Sequence, residues 1–290
     1  MNQASSKRRS ALVWIIVVVL IMGLIGGAWQ SRSRIRSVYH LSRTLLNSGS
    51  MQNKGDFTNI IFIHHSTGRN LIAQGNVRAL FTEAGYDFWD HDYNHIGLTR
   101  PDGTRAGYSY NIPDDNTNPD GFANLFAQPI RHPPTNAFSA IMQHEVIIFK
   151  SCFPVSNISD QDELEAYQHY YLSIRDVIDQ HPDHIFIALT PPPLVPESTT
   201  PENATRAREF ANWLKSDEFL AGHYNLYTFD FFDLLAGDDP FAPDYNMLRV
   251  EYRPAIKGDS HPNALANETI GPQFVEFVIH AVEHYRASQQ

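Results

Sequence analysis

Short, wholly apolar runs set between longer amphipathic ones constrain this chain most. Ile60-Ile61-Phe62-Ile63, Val146-Ile147-Ile148-Phe149 and Ile185-Phe186-Ile187-Ala188-Leu189 are strand-length and rich in β-branched or aromatic side chains. Strands apolar on both faces belong to covered, parallel sheets. Tyr86 to Trp89 and Tyr224 to Phe229 predict two more strands. Between them, apolar residues recur at helical spacing: Leu71, Ile72, Val77, Leu80 and Phe81 up to Gly85; Leu164, Tyr167, Tyr171, Ile174 and Ile178 after Ser159-Asp160. Ala207, Phe210, Ala211 and Leu214 follow Thr200-Pro201, and Phe274, Phe277, Val278, Ala281, Val282 and Tyr285 form the last such run. Strand and helix alternate, which predicts a three-layer α/β domain with a mainly parallel sheet over residues 57–287. Residues 90–135, dense in Asp, Asn, Pro and Gly, predict a long functional loop.

Ahead of this domain, Ala11 to Trp29 is nineteen residues without a charge. A helix of that length spans roughly 28 Å, the thickness of a bilayer core. Lys7-Arg8-Arg9 precede it, and Gly27-Ala28-Trp29 makes a poor cleavage site, so a transmembrane signal anchor is expected over a cleaved signal peptide. Residues 1–10 are then a short tail, 30–56 a polar tether with one short helix, and the main domain lies outside the cytoplasm. Charge follows the same division. Of 22 Lys and Arg, seven lie in residues 1–43, which hold no acid; the remaining 15 face all 32 Asp and Glu, a net −17. Such a surface repels nucleic acid, so no nucleic-acid partner is expected. Cys152 is the lone cysteine, which rules out an internal disulfide.

Chemistry gathers at two places. Ile60–Ile63 ends abruptly in His64-His65-Ser66-Thr67-Gly68, a strand that delivers a hydroxyl to the edge where α/β proteins place their sites. Ser66 also suits a plain helix cap. Near the other end, Asp259-Ser260-His261-Pro262-Asn263 brings an acid and a histidine just before the last helix. A histidine titrating near neutrality takes the proton of a serine, and a carboxylate fixes its tautomer. With Ala188–Pro196 and Ala207–Leu214, these stretches resemble the SGNH (GDSL-like) hydrolase family. The resemblance covers roughly residues 57–287. It implies a flavodoxin-like sheet, Ser66 as nucleophile, His261 as base, and ester hydrolysis without metal or cofactor.

The chain departs from the family pattern in three places. His64-His65-Ser66 stands for Gly-Asp-Ser, so His65 either replaces the acid or, like His64, is a donor beside Ser66 on the oxyanion and substrate side, a packed residue being the plain alternative. Only Ser260 separates Asp259 from His261 where the family has two residues, which puts Gly258 in the acid's position and leaves Asp259 to reach back through a tighter loop. Lys150-Ser151-Cys152-Phe153-Pro154 replaces Gly-x-Asn-Asp. For the oxyanion, the resemblance implies the Ser66 N–H, a loop glycine (Gly121 ahead of Gly107) and a side-chain amide, for which Asn157 is the candidate. A turn glycine and a helix-start asparagine are the plain alternatives for these two. His91-Asp92-Tyr93-Asn94-His95 has metal-ligand spacing only on a helix, which its neighbours disfavour. The expectation is a membrane-anchored esterase acting on an O-acyl ester, such as one on an envelope glycan or lipid. The alternative is a degenerate domain of the same type that binds glycan or supports envelope assembly.

Overall fold

The computed structural model describes residues 34–47, 54–113 and 116–289. The expected span at 11–29 lies outside them; among the described residues no helix is long and apolar enough to cross a membrane.

Six strands form one sheet: β1 (Asn59–Ile63), β2 (Asp87–His91), β3 (Leu98–Thr99), β4 (Val146–Lys150), β5 (Ile185–Leu189) and β6 (Leu226–Phe229), in the order β3-β2-β1-β4-β5-β6. All neighbours are parallel except the short edge strand β3, which is antiparallel. Without that edge, the five parallel strands run in flavodoxin-like order, with the reversal of direction between β1 and β4. The β1, β4 and β5 side chains are buried throughout. Alternation sends them to two layers. Ile61, Ile63, Ile147, Phe149 and Phe186 pack with α4 (Pro119–Phe126), α5 (Ala137–Ile141), α6 (Gln161–Ile178) and α7 (Pro201–Leu214). Ile60, Phe62, Ile148 and Ile187 pack with α2 (Ser66–Gln74), α3 (Val77–Glu83), α9 (Phe231–Leu235) and α10 (Ala264–Ser288). A short helix, α8 (Asp217–Leu220), leads into β6. Residues 34–47, within the stretch expected as a tether, form a helix, α1, that docks on the domain: Ser109 N donates to His40 Nδ1 at 3.0 Å.

Three expectations are corrected. The single helix over Leu71–Gly85 is two, because Gly75 and Asn76 break it, Asn76 with φ +54°. A Cβ on Gly75 would stand 2.8 Å from the Cα of Gly271, and one on Gly271 only 2.3 Å from the Gly75 carbonyl, so α2 and α10 meet backbone to backbone. The strand expected at Tyr86–Trp89 runs on to His91, because Arg78 and His64 bind Asp90 and make its burial tolerable. The 90–135 stretch is no open loop but holds β3, α4 and a compact turn that buries Tyr108, Tyr110 and Ile112.

Candidate active site

Ser66 is the first residue of α2, directly beyond the C-terminal end of β1. The helix starts unusually close to the strand: a Cβ on Gly68 would stand 2.4 Å from the His64 Cβ, so only glycine fits there. The first helical bond runs from Arg69 N to His65 O, and the N–H groups of Ser66, Thr67 and Gly68 point off the helix end. That end favours negative charge.

The partner group arrives on the loop before α10. Asn263 caps that helix by accepting from Ala266 N at 3.1 Å, which fixes the residues just ahead of it. Ser260 is buried and accepts a hydrogen bond from Val195 N, while Ser198 donates to Gly258 O, so the loop is clipped to the segment after β5. Gly258 has φ +79°, and the turn it makes sends Asp259 back toward His261. Asp259 Oδ1 accepts from the His261 backbone N–H at 3.0 Å and from its Nδ1–H at 2.5 Å. Nε2 is thereby left as the acceptor, and the Ser66 hydroxyl donates to it at 2.8 Å. Phe153 lies edge-on to the imidazole at 5.3 Å. Burial works against the Asp259 charge, but its bonds from His261 outweigh that and hold the carboxyl below its ordinary range. Serine, imidazole and carboxylate are thus aligned for proton withdrawal from a nucleophile.

A polar support surrounds the start of α2. His64 Nδ1–H donates to His65 O at 2.9 Å and Nε2–H to Asp90 Oδ2 at 3.1 Å, while Arg78 binds the other carboxylate oxygen. Asp92 takes Arg69 through two bonds, at 2.5 and 3.1 Å. His65 is buried, its ring 4.6 Å from that of Tyr93, and its Nε2–H donates to Asn116 Oδ1 at 3.0 Å. Burial, then the charges of Lys150 and His64, push its pKa down to about 4, so the ring is neutral. Lys150, at the end of β4, is fully buried, and its Nζ donates to Ser151 O at 3.3 Å.

The candidates fall into two groups. Ser66, His261 and Asp259 are brought together from residues up to 195 apart in the chain. Gly121 is instead buried in the first turn of α4, with no described hydrogen bond to that trio. Asn157 lines the same cleft as His261, but its Oδ1 is occupied by Thr199 Oγ1–H and Asn203 Nδ2–H, at 2.9 and 3.0 Å. Asn116 was not among the candidates. It sits in a stretch without periodicity, and only the docking of that stretch against His65 shows its place. His91 ends β2 and bonds Ser109, and His95 stacks on Tyr93; among the described residues no three His, Cys, Asp or Glu gather as a metal cluster would.

Beside His261 opens a cleft of about 640 Å³, walled by Phe153, Tyr167 and Leu194 with Asn157, Glu163 and Ser198 between them. Its lining includes two carboxylates, Glu163 and Asp259, and no Lys or Arg. Compared with protein-family models, curated proteins and solved structures, the chain matches none.

Proposed function

We propose that this chain is a membrane-anchored serine ester hydrolase of the SGNH (GDSL-like) type, cleaving O-acyl esters on the outer side of the membrane that holds residues 11–29. The observation that carries the reading is the 2.8 Å approach of Ser66 Oγ to His261 Nε2, with Asp259 on the far ring nitrogen. A binding domain without hydrolysis has no need of that contact.

In the proposed reaction, Ser66 Oγ attacks the ester carbonyl carbon as its proton passes to His261 Nε2. The carbonyl oxygen becomes an oxyanion at the positive end of α2, met by the Ser66 N–H. We assign the side-chain donor to Asn116, whose Oδ1 is already taken by His65 and whose amide nitrogen is free to donate. Collapse breaks the C–O bond, and His261 gives its proton to the leaving alkoxide. Water then attacks the acyl-Ser66, again losing a proton to His261, and the acid departs as Ser66 regains its hydrogen. Aromatic walls and a cleft bearing only negative charge favour a neutral ester, such as an acylated sugar, over a polyanion.

The test is labelling with a fluorophosphonate and turnover of a short-chain aryl ester. Wild type is expected to label and turn over, and Ser66→Ala to do neither. Equal behaviour of the two proteins ends the proposal.

A further inference from the structure

Helix α1 has two apolar sides. One meets the domain: Thr44 is buried, Leu41 half-buried, and His40 Nδ1 accepts from Ser109 N at 3.0 Å. The opposite side carries Ile35, Val38 and Leu46, which are 69, 65 and 77% exposed. At 100° per residue these three and Ser42 fall on one stripe, with Arg34 on one flank and Arg36 and Arg43 on the other. Large aliphatic side chains aligned on one exposed stripe mark a surface that is covered in use.

Two further features say by what. The uncharged segment ends at Trp29, five positions before the first described residue of α1, and five residues span at most about 18 Å. Any bilayer entered by that segment therefore lies against the first turns of α1. The approach and the helix carry Arg32, Arg34, Arg36 and Arg43 without an acid, whereas the chain beyond residue 43 carries −17. A helix with aliphatic residues on one stripe and arginines along its flanks is built for an anionic lipid surface.

We infer that α1 lies in the membrane interface, with Ile35, Val38 and Leu46 at the acyl boundary and Arg34 and Arg36 on lipid phosphates. Its other side holds the domain, so the catalytic unit is held close against the bilayer instead of swinging on a tether. The inference rests on the anchor reading of residues 11–29, and the test separates the two. The full chain with Cys152→Ala is reconstituted in vesicles of phosphatidylglycerol and phosphatidylcholine, with a nitroxide on Val38→Cys, on Leu46→Cys or, as an aqueous reference, on Phe241→Cys, a residue 94% exposed. Labels at 38 and 46 are expected to be reached by oxygen and shielded from a water-soluble nickel complex several-fold more than the label at 241. If the chain survives an alkaline carbonate wash but those labels meet nickel as freely as the one at 241, the interfacial helix is overturned while the anchor stands. A chain that washes off overturns both. Dipolar coupling between labels on two copies, with lipid contact absent, assigns the stripe to self-association and also overturns the inference.

Discussion

Asp259 holds His261 by two bonds to a single oxygen, one from the backbone and one from the ring. Orientation of the imidazole is thus a local property of three consecutive residues. In the proposed reaction the oxyanion side is less local, and there two asparagines make different claims. Asn116 faces the turn of the nucleophile through His65; Asn157 stands on the cleft wall with its oxygen already engaged. Asn116→Ala is expected to lower kcat for an aryl ester by about 10²–10³ with little change in KM, the usual loss for one oxyanion donor. Asn157→Ala is expected to act on KM and leave kcat near wild type. Steady-state kinetics on both variants decide it, and the reverse pattern returns the role to Asn157. Ser66 and His261 are legible in the sequence because each stands at an abrupt end: a strand breaking into polar residues, and a polar loop breaking into a helix. Asn116 is not, because its meaning depends on a fold-back that no spacing encodes.

At the scale of elements, α2 and α10 cross in direct backbone contact. Gly75 and Gly271 let the two backbones touch, and these helices carry Ser66 at the start of one and His261 just before the other. Gly271→Ala places a methyl group 2.3 Å from a carbonyl oxygen. The expected outcome is destabilisation of about 1–3 kcal/mol, as for other overpacked sites, with kcat reduced because the helices are pushed apart. Urea unfolding and single-turnover acylation measure the two effects; a variant with wild-type stability would show that this contact bears no strain. The break at Gly75 is hidden in the sequence because apolar spacing continues across it. The polar end of β2 is hidden for the opposite reason: Asp90-His91-Asp92 reads as loop until Arg78, His64 and Arg69 supply its partners.

Across the whole molecule, the domain buries three uncharged histidines. Burial pushes His65 down to about 4 and both His91 and His144 to about 3, from an ordinary 6.5. Their bonds agree: His91 Nε2 accepts from Tyr110 N, and His144 Nε2 from Tyr110 Oη–H. The unfolded chain takes up protons at these sites below pH 6.5 while the folded chain refuses them. Stability is therefore complete above pH 6.5 and falls as pH drops toward 4 and then 3. Each proton contributes a slope of about 1.4 kcal/mol per pH unit, about 4 for three, before other groups are counted. Urea midpoints at pH 7, 6, 5 and 4.5 are expected to fall steadily, and a flat series would contradict the burial of neutral rings. At this scale the sequence is most readable, since β1, β4 and β5 are apolar on both faces and could only be central. Its buried polar groups are less so, because histidine, tyrosine and aspartate carry no periodic mark of where they will lie.

The bond between Ser66 and His261 spans 195 residues. During synthesis Ser66 emerges with β1, and His261 follows only after β2 to β6 have been made. A ribosome-bound chain short of residue 261 has a hydroxyl without a base, whatever else has folded. The hydrolysis proposed above would therefore be timed by the arrival of the last loop and helix, and an unfinished chain would stay inert.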